Sequence, residues 1–383
     1  MKPATAHFAV ISPQGWGKMF VSKHHYAVEL SAEKPVVFIN PPNQVAGISS
    51  TLTDTEYPGI RVLNYNLNPI FWNYVKFHLP VVYRWYFKRA VRSVLKKHRL
   101  QFSEVWCFDA AMAESLDAFG SGNNILFIAD MISKPEKATE LAAQSNLVVS
   151  ITPAIIKLFD ASPKDKLLIN HGLGSHFSML SEDRLNQPIE QQEIKDVGYV
   201  GNLLLKYLNH DVLEEIIRTH PNQRFHFWGA ISFLDNNVQN VASPGVVERL
   251  RELANYPNVV MHGPKSPNEL AAAINTMDAF LVCYDIKEDP NGGANSHKIL
   301  EYLSTGKVII SSKVADYAGS GLFPMLEDDE TGKLVSLFDQ VVNHPEEYNS
   351  AELQQQRIRF ALSNTYSNNI LKIREKLNQR KSS

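Results

Sequence analysis

The sequence predicts an α/β protein made of two Rossmann-like domains, each built on its own parallel sheet. Three observations carry this. Short apolar runs alternate with helical patterns through both halves of the chain, as parallel strands joined by crossover helices require. A polar segment, Ser181–Asp196, separates the halves and reads as an interdomain linker. The chain has 383 residues, enough for two domains.

The strands of the first half are expected at Phe8–Ile11, Val36–Asn40, Arg61–Tyr65, Glu104–Phe108, Ile125–Ala129, Leu147–Ser150 and Leu167–Asn170. Those of the second half are expected at Val197–Val200, Arg224–Trp228, Val259–His262, Ala279–Cys283 and Val308–Ser311. Helices between them include Lys18–Leu30, Pro135–Ala143, His210–Thr219, Pro267–Thr276 and His297–Ser304. Domains follow at 1–180 and 190–350, with helices over 351–383.

Composition excludes several classes. A net charge of −2 argues against a whole-protein field for nucleic acid or membrane. The two cysteines, Cys107 and Cys283, sit in apolar runs and read as buried free thiols, not as a disulfide framework or a zinc site. The N-terminus leads straight into a strand without a signal-peptide core, and no uncharged apolar stretch reaches the ~18 residues of a spanning helix. The expected place is the cytoplasm, or the cytoplasmic face of a membrane.

The most informative run is His297–Ser312: a short helix, a glycine stop at Gly306, then a buried strand. Asn295 and Ser296 suit an N-cap. Lys298 and Glu301, three apart, share a helical face near the helix N-terminus. A cation beside exposed backbone N–H groups suits a diphosphate, and a carboxylate one turn on suits a ribose diol. Upstream, Gly15-Trp16-Gly17-Lys18 follows the first strand, and its glycines let backbone approach a ligand closely. His25, or His24, and Asp130 at the end of an apolar strand are candidate proton acceptors.

The run resembles the donor-binding element of GT-B glycosyltransferases of the group-1 type, K-(I/L)-x-E-Y-(L/M)-x-x-G-K. Lys18–Leu30 with Val36–Pro42 is similar to their first helix and second strand, and Val197–Leu203 to the start of their donor domain. Ile169–Phe177 resembles their N-G-(V/A)-D segment, with His171 inserted before the glycine. Phe227–Gly229 resembles the end of their next strand, and Tyr256–Pro264 a stretch beside their base pocket. The resemblance implies two domains facing a cleft, with C-terminal helices crossing back to the first. Lys298 would then contact phosphate and Glu301 the ribose. Gly201, Asn202, Gly292, Gly293, Ser296 and His297 would complete the donor site, with the acceptor near Gly15, Trp16, Gly17, Lys18, His25 and Asp130. A nucleotide-diphosphate sugar serves as co-substrate, and no cofactor is implied.

The chain departs from the pattern at Gly293, where many retaining enzymes carry a second Glu eight residues before the ribose Glu. It is closer to inverting, membrane-associated glucuronosyltransferases and teichuronic-acid-type transferases. No Asp-x-Asp ends an apolar strand, so no metal is expected on the diphosphate. A nucleotide-sugar 2-epimerase and a non-catalytic sugar-nucleotide-binding protein are the rival readings.

Asn68–Arg99 interleaves aromatics with eight Lys and Arg and contains no Asp or Glu. That pattern suits an anionic membrane surface and a lipid-linked acceptor of polysaccharide assembly. A packed helix with a basic outer face is the plainer alternative, and no nucleic-acid motif accompanies the basic residues.

Overall fold

The computed structural model describes residues 6–17, 20–42, 47–68, 72–110, 113–120, 122–129, 132, 135–162, 164–187, 193–229, 244–288 and 296–382. The chain forms two compact units, Met1–Asn170 with Tyr366–Ser383, and His171–Thr365.

The first unit contains β1 (His7–Ile11), α1 (Ser22–Ser31), β2 (Val36–Ile39), β3 (Gly47–Asp54), β4 (Ile60–Asn68), α2 (Trp72–His78), α3 (Pro80–Lys97), β5 (Phe102–Cys107), β6 (Asn123–Ile128), α4 (Pro135–Ala143), β7 (Leu147–Ser150), α5 (Pro153–Lys157) and β8 (Asp165–Leu168). Its eight strands run in the order β3-β4-β2-β1-β5-β6-β7-β8. All pairings are parallel except the edge strand β3, which pairs antiparallel with β4. The inner strands are buried along their length, as sheets covered on both faces require.

The second unit contains α6 (Ser175–Leu185), β9 (Asp196–Val200), α7 (His210–Thr219), β10 (Arg224–Trp228), α8 (Pro244–Leu253), β11 (Val259–Met261), α9 (Pro267–Ile274), β12 (Ala279–Val282), α10 (His297–Ser304), β13 (Val308–Ser311), α11 (Leu334–Asn343), α12 (Pro345–Tyr348) and α13 (Ala351–Leu362). Its five strands are all parallel, in the order β11-β10-β9-β12-β13. Local chemistry starts its helices cleanly. The Asn209 side chain accepts from the Val212 amide at 3.1 Å to cap α7, and Ser266 with Glu269 forms a capping box on α9. The final helix, α14 (Tyr366–Ser382), belongs to the first unit.

The division of the chain falls earlier than the polar segment Ser181–Asp196 suggests. Residues up to Leu185 are helical, and the Ser181 hydroxyl is buried, donating to the Phe177 and Ser304 carbonyls at 2.8 Å each. Residues 351–362 lie in the second unit because buried Gln354, Arg357 and Ile358 of α13 pack there. Arg357 donates to the carbonyls of Leu322 (2.7 Å), Gly306 (3.0 Å) and Tyr348 and to Asn349 Oδ1 (3.0 Å). α14 adds Tyr366, Ile370, Ile373 and Leu377 to the first core. The Asn369 amide there donates to the Asn170 carbonyl at 2.9 Å, and Arg374 pairs with Glu33 at 2.9 Å. Cys107 and Cys283 are buried and free, as expected. Among the described residues, no helix is long and apolar enough to cross a membrane.

Candidate active site at the carboxyl edge of the second sheet

In the second sheet the direction of strand addition reverses between β9 and β12. Open α/β sheets bind ligands at that switch point, beyond the carboxyl ends of the strands. The chain leaves β9 there through Gly201, and β12 is the strand that precedes α10. Tyr302 fastens α10 in place. Its hydroxyl oxygen accepts from the Val200 amide at 2.6 Å, and its ring stacks on Phe280 at 4.1 Å. Ile299, Leu300 and Leu303 are buried on the same helix.

This fixes Lys298, which is only 7% exposed. Its ammonium lies 4.1 Å from the centre of the Tyr199 ring and 4.9 Å from that of Tyr284. No hydrogen-bond acceptor among the described residues reaches Nζ. Burial pulls its pKa down to about 7, against the opposing charge of Glu301. Burial likewise pushes the Glu301 carboxyl up to about 7, with Lys298 pulling it back. A desolvated ammonium without an acceptor costs stability, and an incoming anion removes that cost.

Gly201 makes room for this amine. Its φ is +139°, and a Cβ there would lie 2.8 Å from Lys298 Nζ. Its turn abuts the one after β10: the Gly201 amide donates to the Trp228 carbonyl at 2.8 Å, and a Cβ on Gly229 would lie 1.9 Å from the Gly201 oxygen. Only glycine fits these backbone approaches. Asn202 shapes the same turn, its side-chain oxygen accepting from the Leu204 amide at 2.9 Å.

Ser296 occupies the N-cap position of α10, but its side chain makes no capping hydrogen bond. The expected side-chain cap is therefore not used by Ser296; its carbonyl instead accepts the Ile299 amide at 3.1 Å. His297, the first residue of the helix, packs its ring 3.6 Å from that of buried His171. Past β10 and β11, Trp228 stacks on His262 at 4.7 Å, and His226 bridges Asp196 (2.9 Å) and His262 (3.0 Å). Gly292, Gly293 and Asn295 lie outside the described residues.

The structure thus brings Lys298, Glu301 and the Gly201 turn together. Sequence reasoning missed Tyr199, Tyr284 and the pairing of His171 with His297. The only available signal was the histidine inserted at 171.

In the first unit, Gly15, Trp16 and Gly17 form the turn after β1, while Lys18 and Asp130 lie outside the described residues. Trp16 is a packing residue here: its ring meets Phe20, Phe38 and Tyr57 at 4.9, 5.0 and 5.8 Å, and its amide donates to Asn40 at 2.8 Å. The two adjacent histidines separate. His24 is buried between Phe20 and Phe38 and bonds the Gly15 carbonyl through Nε2 at 3.2 Å and the Val21 amide through Nδ1 at 3.2 Å. Burial lowers its pKa. His25 is half-buried and stacks on Tyr366 at 5.0 Å.

Residues 72–97 form α2 and α3. Tyr83, Phe87, Val91, Val94 and Leu95 face the core. Carboxylates distant in sequence pair with three of the basic residues: Lys76 with Glu114 (2.7 Å), Arg84 with Glu140 (2.8 Å) and Lys88 with Asp117 (3.7 Å). The lack of acids in the segment itself therefore overstates its free charge.

No protein-family model matches the sequence, and no curated protein is a significant match. Solved structures do match over nearly the whole chain. An E. coli trehalose-6-phosphate synthase bound with UDP-2-fluoro glucose aligns at a TM-score of 0.66 and 12% identity, over 98% of this chain and 99% of that one. Sucrose-phosphate synthase from Thermosynechococcus elongatus aligns at 0.64 and 11%, over 98% and 99%. Anabaena HepE in complex with UDP and glucose aligns at 0.60 and 12%, over 96% and 99%. These are GT-B structures, and the chain has the GT-B fold.

Proposed function

We propose that the chain is a glycosyltransferase that moves a sugar from a nucleotide-diphosphate donor to an acceptor hydroxyl. The observation that carries this is Lys298: a buried ammonium with no hydrogen-bond acceptor among the described residues, at the start of a helix, with the half-buried Glu301 carboxyl on the same helix. In the reaction the anomeric C–O bond to the diphosphate breaks and a bond to the acceptor oxygen forms. Lys298, at the positive end of α10, would hold the leaving diphosphate as its charge grows. Ionised Glu301 would accept hydrogen bonds from the ribose hydroxyls. The acceptor proton would go to Asp130 or His25. UDP is the first nucleotide to test, since two of the structural neighbours contain it or a derivative.

The acceptor we propose is lipid-linked, with the enzyme held at an anionic membrane surface by α2 and α3. Arg89, Arg92, Lys96 and Lys97 have no carboxylate partner among the described residues, and each such charge near a membrane contributes up to ~1 kcal/mol. Incubation with UDP-, GDP- and TDP-sugars tests the whole reading. Transfer or slow hydrolysis supports it, interconversion of the sugar makes the chain an epimerase, and binding alone makes it a non-catalytic binder.

A further inference from the structure

A groove of about 440 Å³ runs between α3 and the edge hairpin β3–β4. Trp85, Arg89, Ser93 and Lys97 recur every fourth residue and form one wall, so the wall is about 18 Å long at 1.5 Å per residue. Ile48 and Leu67 face it from the strands. Ala90 and Val94 add apolar floor. At one end the Lys97 ammonium donates to the Ser50 carbonyl and hydroxyl at 3.1 and 3.2 Å, which ties helix to strand. Toward the other end the surface is apolar and open: Trp85 is 64% exposed, Ile48 66% and Val81 79%.

Two properties select the occupant. The lining is aliphatic and aromatic, yet three large apolar side chains stand in water beside it, which a soluble monomer rarely leaves uncovered. The rim is cationic: the Arg89 guanidinium lies 5.9 Å from the Trp85 ring centre, with no carboxylate partner among the described residues. Apolar lining with a positive rim complements an anionic amphiphile. We propose that this groove takes one acyl chain of an anionic membrane phospholipid, with Arg89 facing the headgroup phosphate. This deepens the membrane part of the proposed function, but rests on the geometry of the first unit alone.

The test is titration of the full chain with vesicles of phosphatidylglycerol in phosphatidylcholine, or of phosphatidylcholine alone, brominated along their acyl chains. Tryptophan quenching is the readout, and the thermal shift with UDP is followed in parallel. Quenching is expected with the anionic vesicles only, and is expected to fall sharply in Trp85→Phe. Ser93→Phe, which fills the groove from an exposed position, and Arg89→Glu are each expected to weaken association about tenfold or more while leaving the UDP shift unchanged. No association of the wild-type chain overturns the proposal. So does full association of Ser93→Phe, which would mean surface contact without chain entry. Self-association of the protein that Ser93→Phe abolishes would give the groove to a second copy and also overturn it. Loss of the UDP shift alone would count against the donor site and leave the groove standing.

Discussion

The Tyr302 hydroxyl oxygen accepts the Val200 amide at 2.6 Å, joining the helix that carries Lys298 to the strand that ends in the Gly201 turn. The two halves of the candidate donor site are thereby held as one rigid piece. The tyrosine of the Glu-Tyr pair is a positioning residue, and Glu301 and Lys298 depend on it.

Tyr302→Phe keeps the ring stack on Phe280 and leaves the amide of half-buried Val200 without its acceptor. An unsatisfied buried donor costs about 1–3 kcal/mol. Denaturant unfolding should show a loss in that range. Nucleotide affinity should fall as well, because the Gly201 turn is no longer fixed against α10.

Lys298→Met should separate binding from stability. The apolar chain fills the same space between Tyr199 and Tyr284 and removes a desolvated charge, so the melting temperature is expected to hold or rise. Turnover is expected to fall on the order of 10²-fold, the usual cost of losing an electrostatic contact to a developing anion. Normal turnover in a folded Lys298→Met protein would remove Lys298 from the mechanism.

The pH dependence has a defined sign. The unfolded chain keeps the Lys298 proton up to about 10.5, and the folded chain only up to about 7. Between those values the unfolded state binds more protons, so this group makes stability rise with pH across that window. A bound diphosphate favours the charged amine. Nucleotide binding near pH 8 should therefore take up a proton, visible as a dependence of calorimetric heat on buffer ionisation enthalpy. Affinity should weaken as pH rises above 7, and Lys298→Met should lose both signals.

Gly201→Ala places a methyl group 2.8 Å from the Lys298 amine on a backbone with φ of +139°. Destabilisation of about 1–3 kcal/mol is expected from the strained backbone, together with loss of nucleotide affinity. Thermal melts with and without UDP would read both effects.

Arg357→Met strips a fully buried guanidinium from the carbonyls of Leu322, Gly306 and Tyr348. Burial already lowers its pKa to about 10, but the side chain remains charged at neutral pH. A loss on the order of 3 kcal/mol is expected, read as an earlier unfolding midpoint of the second unit.

Much of the fold was legible where local chemistry and burial agree. β7, β10 and β13 occupy the expected residues: β7 and β13 are short apolar runs, and β10 alternates polar Arg224 and His226 with buried Phe225 and Phe227. α4, α7 and α10 also keep their expected bounds. The edge strand β3, Gly-Ile-Ser-Ser-Thr-Leu-Thr-Asp, escaped notice because only one side of it is paired and most of it is exposed. α1 begins at Ser22, not Lys18, its first turn set by the His24 ring accepting the Val21 amide. The end of α6 reads as part of a polar linker, and the resemblance carries α13 to the first domain; local sequence does not reveal that Ser181, Gln354 and Arg357 are buried in the second unit. In the site, Lys298, Glu301 and Gly201 announce themselves through local spacing and turn chemistry. Tyr199, Tyr284 and His171 join them only through the sheet, from segments far apart in sequence.

The first unit is interrupted: its chain stops at Asn170 and resumes at Tyr366, with the whole second unit in between. Synthesis runs from the N-terminus, so the ribosome completes the second unit before the residues that close the first core exist. Until α14 emerges, the surface that will receive Tyr366, Ile370, Ile373 and Leu377 stays wet and sticky. A cut before Tyr366 would therefore leave the first core open while sparing the second unit.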